Sequence, residues 1–124
     1  MNHVSFQDGN LIVEPEGLDK VWAFKAKLTI PVNHIRSLTV ASKDQLKADG
    51  YWQHLQLRAG GLGLPNKKAG NFMDGTTESF VNISGKDDIL FAMLQNDHYD
   101  YLFLTVRNPA ELMSQYQRLT KMAD

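Results

Sequence analysis

Glycines and lysines gather in the middle of this 124-residue chain, where backbone amides and ammonium groups could together bind an anion. A Gly-Gly-Leu-Gly run at residues 60–63 is followed by Lys67 and Lys68. The spacing is not that of a nucleotide-binding loop, because no Gly-Lys-Ser/Thr occurs and no Gly-x-Gly-x-x-Gly pattern opens a helix. The segment is therefore predicted to be a long structural loop over residues 58–70.

The four histidines could act as metal ligands or general bases, but their spacing assembles no site. No two of them stand at positions i and i+4. Residues 96–100 place two carboxylates beside one imidazole, a composition that also suits a polar hairpin turn. The serines lack the strand-turn-helix setting of a catalytic nucleophile. The sequence therefore predicts no catalytic residue, no metal and no cofactor, and the protein is predicted not to be an enzyme.

Composition and charge narrow the class of protein. Hydrophobic residues make up 43% of the chain, charged residues 22%, and the formal net charge is -1, which favours neither disorder nor nucleic-acid binding. Cysteine is absent, so disulfides and thiolate chemistry are excluded. The start of the chain lacks the pattern of a signal peptide, and no apolar run reaches about 18 residues. We expect one domain over residues 1–124, without a transmembrane segment, in the cytoplasm.

Short apolar runs separated by turn residues predict a mainly β chain. Val4 and Phe6 alternate with polar residues before Asp8-Gly9, which suits the tight turn of a first hairpin. A helical turn is predicted near residues 18–22 and a short helix at residues 44–51. Residues 101–106 are apolar almost throughout, so this strand should pack on both faces. The remaining strands are predicted near residues 26–30, 35–40, 71–73, 80–83 and 89–94, in a meander.

A C-terminal helix is the most strongly signalled element. Asn108 suits the N-cap, Pro109 the first helical position, and Glu111 the third, where it can complete a capping pair. Leu112 and Tyr116 then begin an apolar stripe at helical spacing, which predicts a helix over about residues 109–122 with one packed face. Strands closed by a single helix predict a β-barrel with a lid.

Several short motifs follow one another along the chain: Leu11-Ile12-Val13-Glu14-Pro15, residues 18–24, Leu28-Thr29-Ile30-Pro31, Ile35, Leu38-Thr39-Val40, Arg58-Ala59-Gly60, Ala69-Gly70-Asn71-Phe72, and Tyr99-Asp100-Tyr101-Leu102 followed by Asn108-Pro109. Their order and spacing resemble the bacterial pleckstrin-homology-like (PH-like) family of small proteins. The resemblance implies a PH-like barrel of two roughly orthogonal antiparallel sheets, about seven strands in all, capped at one open corner by the C-terminal helix. It also implies no established enzymatic activity.

Two large aromatic residues next to the irregular middle segment indicate where such a fold would bind a partner. Exposed aromatic rings beside a loop form the centre of many protein interfaces. The predicted function is therefore a non-enzymatic interaction module that binds an unidentified protein or a second copy of itself. The candidate interaction loop comprises Tyr51, Trp52, Arg58, Leu62, Leu64, Lys67 and Lys68.

Two alternatives to a protein-binding module stay open. A small-anion-binding protein or hydrolase would use residues 58–68, and it requires Arg58, Lys67 and Lys68 to converge on one pocket. A peripheral membrane-surface adaptor would use a group of cations on one side of the fold. Alternating lysines are also typical of a solvated edge strand, so membrane-surface binding is disfavoured. The cations concerned are Lys25, Lys27, Arg36, Lys43 and Lys47.

Overall fold

The computed structural model describes residues 1–17, 27–55, 62–64 and 67–123, with the backbone alone for residues 62–64, 122 and 123. The predicted helical turn at residues 18–22 lies outside these ranges. Two short 3-10 helices occupy Val32–His34 and Tyr51–Leu55, and the α-helices are α1 (Lys43–Ala48) and α2 (Pro109–Ala123). The strands are β1 (Asn2–Gln7), β2 (Asn10–Pro15), β3 (Leu28–Pro31), β4 (Ile35–Ala41), β5 (Leu62–Leu64), β6 (Lys67–Asp74), β7 (Thr77–Ser84), β8 (Ile89–Leu94) and β9 (Tyr101–Leu104).

These strands form two sheets. A three-stranded sheet has the order β1-β2-β3, and a six-stranded sheet has the order β4-β8-β9-β7-β6-β5. The prediction of a mainly β fold with two sheets and a C-terminal helix is confirmed. Two details differ in the described ranges. The strands number nine rather than about seven. The two sheets also do not close into a barrel, although an isolated bridge joins Asn2 to Val106.

The position of β9 corrects the predicted meander. This strand lies between β8, to which it is antiparallel, and β7, to which it is parallel. The sheet is therefore not wholly antiparallel, and consecutive strands are not always neighbours. Leu102, Phe103 and Leu104 are all fully buried. Because the middle of a covered sheet buries both faces of a strand, an apolar run such as β9 is most stable there.

Glycine-rich sequence in the middle of the chain forms strands where a long loop was predicted. β5 pairs with β6, and β6 pairs with β7 over the whole of both strands. Gly70 has a φ of 120° and still pairs with Val81, so glycine here accommodates an unusual strand position. The loop prediction is wrong for residues 62–64 and 67–70. The rest of the predicted loop lies outside the described residues.

The six-stranded sheet separates two apolar clusters. The first cluster lies between the two sheets and under α2, and it includes Leu11, Ile30, Phe80, Leu102, Leu104 and Leu112. The second cluster lies on the opposite face, under the segment from α1 to the 3-10 helix Tyr51–Leu55. Alternation along β9 sends side chains into both clusters, which confirms that this strand packs on two faces. The buried members of the second cluster are Leu46, Leu55, Phe72, Val81, Ile83, Ile89, Phe91 and Phe103.

α2 begins at Pro109, as predicted, and contacts both β1 and β4. Asn108 and Glu111 do contact each other, but through their side chains, with Nδ2 of Asn108 donating to Oε2 of Glu111 at 3.2 Å. This bond differs from the predicted capping pair, in which each side chain accepts from a backbone amide. Leu112 is buried in the first cluster, and the Tyr116 ring stacks on Phe6 with centroids 6.2 Å apart. In the described part of the chain, neither helix combines the length and apolarity needed to cross a bilayer.

Candidate interaction surface

Tyr51 and Trp52 are positioned by a short helical segment laid on the six-stranded sheet. Ser42 caps α1, since its hydroxyl accepts a hydrogen bond from the Gln45 amide at 3.1 Å. Leu46 in α1 and Leu55 in the 3-10 helix are buried, so both ends of the segment are anchored in the second cluster. The two aromatic side chains between these anchors lie at the rim of the cluster.

Both rings are half-buried and held by other aromatic side chains. The Tyr51 ring is 4.9 Å from Phe91 and 5.7 Å from Tyr101, measured between centroids. The Trp52 ring meets Phe103 edge-on, with centroids 6.3 Å apart and planes at 90°. Such contacts fix the orientation of a ring as well as burying it. The predicted exposed pair is therefore a partly exposed and oriented one.

Two lysines of α1 lie at the Trp52 ring. The Lys43 Nζ is 5.9 Å from the ring centroid and the Lys47 Nζ is 5.7 Å from it, within the range of a cation–π contact. The sequence alone groups these lysines with a possible membrane-binding patch. Their i, i+4 spacing already indicates that they share one side of a helix. We call Lys43, Lys47, Tyr51 and Trp52 the Trp52 surface.

Lys67 and Lys68 point to opposite faces of β6. The Lys67 Nζ donates to Oδ1 of Asn82 at 2.7 Å, whereas the Lys68 Nζ lies 6.0 Å from the centroid of the Phe72 ring in the second cluster. Successive side chains of a strand alternate in this way. The two ammonium groups therefore do not converge, although the anion-site alternative requires it. Arg58 lies outside the described residues.

Leu62 and Leu64 occupy β5, which pairs with β6 at the edge of the six-stranded sheet. For these two residues the structure describes the backbone only. Of the candidate interaction loop, Tyr51, Trp52 and Lys68 are brought to the same face of the sheet, and Lys67 lies on the other.

Three of the histidines each meet a carboxylate from a distant part of the chain. Each pair ties two segments together, so these imidazoles have a structural partner in the fold. Among the described residues, no three such side chains gather as metal ligands. Sequence reasoning missed the pairs because the partners are as much as 63 residues apart. The pairs are His34 Nδ1 with Asp97 Oδ2 at 3.0 Å, His54 Nδ1 with Asp74 Oδ2 at 2.9 Å, and His98 Nε2 with Glu78 Oε2.

A buried amide pair ties β1 to the six-stranded sheet. Asn2 donates through Nδ2 to the carbonyl oxygens of Asn82 at 2.9 Å and Thr105 at 3.0 Å. In return, Nδ2 of Asn82 donates to Oδ1 of Asn2 at 2.8 Å. Both amides are buried, with 2% and 0% of their surface exposed. No motif in the sequence had indicated this connection.

Burial raises the pKa of two tyrosines, Tyr99 in the first cluster and Tyr101 beside the second. At Tyr99 the Glu78 and Asp97 carboxylates raise the pKa further, and the Tyr99 hydroxyl donates a hydrogen bond to Oδ1 of Asn71 at 2.9 Å. Burial is also the main cause of the raised pKa of Tyr101. Both hydroxyls therefore ionise at a higher pH than an exposed tyrosine does.

A scan against protein families, a search of curated proteins and a search of solved structures each found no match to this chain. The properties of the Trp52 surface are therefore inferred from its own contacts. It combines an oriented indole ring, a neighbouring phenol ring and two ammonium groups within about 6 Å of the indole. Such a combination is suited to binding.

Proposed function

We propose that this protein is a non-enzymatic interaction module that binds another protein through the Trp52 surface. The observation that carries the proposal is the Trp52 ring, which is fixed edge-on against Phe103 and approached by two ammonium groups from outside. Tryptophan is among the residues that contribute most to binding at interfaces, particularly when its orientation is set before the partner arrives.

The PH-like fold is part of this proposal. It is supported by the combination of a three-stranded and a six-stranded sheet with a C-terminal helix that contacts β1 and β4. The similarity of motif order along the sequence points the same way. A fold of this kind provides a scaffold, and function is carried by the surface placed on it.

Affinity capture from the native cell lysate tests the proposal. The baits are the wild type, Trp52→Ala, and Tyr116→Ala, which truncates a half-buried aromatic side chain far along the chain, in α2. Each variant is first shown to be folded by its circular dichroism and urea transition. We expect a protein captured by the wild type and by Tyr116→Ala to be lost from Trp52→Ala. Identical capture by all three baits would contradict the proposal.

A second copy of the chain is the other occupant to be tested. Mixing tagged and untagged forms shows whether the wild type captures itself. If it does, and Trp52→Ala does not, the surface serves self-association. Sedimentation of the two forms over a range of concentrations then measures the loss of the dimer directly.

A further inference from the structure

Lys43 and Lys47 form a pair of like charges on the exposed side of α1. They are one helical turn apart, and both ammonium groups lie within 6 Å of the same indole ring. Like charges at this spacing destabilise a helix slightly, because the two side chains share one side of it. The cation–π contact with Trp52 offsets part of that repulsion.

In the described part of the chain, neither ammonium group forms an ion pair with a carboxylate. Of the nearest acids in sequence, Asp49 accepts a hydrogen bond from Nε2 of Gln45 at 3.0 Å. Asp44 is exposed and lies about 100° around the helix from Lys43. A third cation, Lys86, lines a depression of about 250 Å³ together with Ser42, Lys43 and Asp44.

We infer that the Trp52 surface binds an acidic segment of a partner protein, with carboxylates at Lys43 and Lys47 and an apolar side chain against the Trp52 ring. The inference rests on the proposed function and specifies the chemistry of the partner. A carboxylate between the two ammonium groups would relieve their repulsion, and the half-exposed indole would be covered in the same step.

The charge of the whole chain favours a short acidic segment over an extended polyanion. The formal net charge is -1, so the positive potential at the two lysines is local. Nucleic acids and anionic membranes bind through several cations spread along a surface, and each contact adds to the affinity. A pair of carboxylates on a peptide needs only the two ammonium groups at hand.

A labelled peptide tests the inference in solution. The probe is fluorescein-Glu-Phe-Glu-Phe-Glu, its neutral match is fluorescein-Gln-Phe-Gln-Phe-Gln, and binding is followed by fluorescence anisotropy at low and high salt. The variant is Lys43→Gln/Lys47→Gln, and the matched control is Lys27→Gln/Lys121→Gln, which removes two exposed charges elsewhere. We expect the variant to bind the acidic peptide about five- to tenfold more weakly, the control to change less than about twofold, and salt to weaken binding.

Several results would overturn the inference. One is equal binding of the acidic and neutral peptides; another is an equal loss in the variant and in the charge-matched control. Binding of polyuridine RNA or phosphatidylserine vesicles that depends on Lys43 and Lys47, in the absence of peptide binding, would assign the surface to another class of partner. A captured lysate protein could be lost from Trp52→Ala yet retained by Lys43→Gln/Lys47→Gln. That result would support the proposed interaction module and contradict the inference that its partner is acidic.

Discussion

Two buried asparagines contribute to the attachment between the two sheets. Asn2 and Asn82 lose their hydration on folding, and a buried amide is tolerated only when its hydrogen bonds are replaced. Here the lost hydrogen bonds to water are replaced where β1 meets the six-stranded sheet. Asn2 donates to the carbonyl oxygens of Asn82 and Thr105, and the Asn82 side chain donates to that of Asn2. Specificity of sheet packing therefore depends on an amide pair as well as on apolar contacts.

Replacing Asn2 with alanine tests this amide pair. The change removes three hydrogen bonds at a buried site, and we expect it to lower the free energy of unfolding by about 2–3 kcal/mol. Urea denaturation measures the change. Asn10→Ala is the control, because the Asn10 side chain forms only a long, exposed hydrogen bond, at 3.5 Å, to the Asp8 carbonyl oxygen. We expect this variant to lower the free energy of unfolding by about 0.5 kcal/mol or less. Equal costs for the two variants would show that the pair contributes nothing special.

Elements with local signals were predictable from the sequence, and elements that depend on distant pairing were not. The turn at Asp8 and Gly9 is determined locally by positive φ, and the start of α2 is determined locally by proline at the first helical position, Pro109. The parallel pairing of β9 with β7 depends on which strand gains most from burial on two faces. Composition predicts a loop at Gly70, because composition cannot reveal a long-range strand partner.

The first hairpin supplies a prediction at a single turn. Gly9 has a φ of 78°, and a Cβ added there would meet no other atom within 4 Å. The cost of Gly9→Ala is therefore conformational, and we expect a loss of about 1 kcal/mol in the free energy of unfolding. Gly9→Asn should cost about half as much or less, since asparagine tolerates this conformation better. Urea transitions in which Asn is no better than Ala would contradict this explanation.

The two halves of α2 should differ in how much stability they supply. Leu112 is buried in the first cluster, whereas Leu119 is half-exposed and lines grooves of about 340 Å³ and 550 Å³ on the two sides of the helix. We expect Leu112→Ala to cost about 2–4 kcal/mol and Leu119→Ala about 1 kcal/mol or less. Denaturation measures both, and amide exchange should be faster in the second half of the helix. The reverse order would show that the second half is the anchor.

At the scale of the whole molecule, the sequence indicated part of the candidate site and could not complete it. Large rings near an irregular segment are typical of an interface, which is why the sequence indicates Tyr51 and Trp52. The cations beside Trp52 are Lys43 and Lys47. The lysines that the sequence predicts there, Lys67 and Lys68, lie on opposite faces of β6. Which residues share a surface is decided by strand alternation and by the position of α1 on the sheet, and both follow from tertiary packing.

Three buried or half-buried tyrosines should make the stability of the folded protein sensitive to alkaline pH. Burial raises the pKa of Tyr99, Tyr101 and Tyr116 in the folded protein, while in the unfolded chain a tyrosine has its ordinary pKa of about 10. Above that pH the folded state retains more protons than the unfolded state. Their contribution to stability is therefore complete below about pH 10 and is lost as the pH rises through the folded-state values.

Urea denaturation at a series of pH values on both sides of pH 10 checks this expectation, with tyrosinate absorbance as an independent measure of ionisation. Lysines titrate in the same range, so the informative comparison is with Tyr99→Phe, which removes the hydroxyl of the most deeply buried of the three tyrosines. The variant should be less stable at neutral pH, because its bond to Asn71 is lost, and should then lose stability more slowly as the pH rises. A decline as steep as that of the wild type would show that the Tyr99 hydroxyl is not what the folded protein holds neutral.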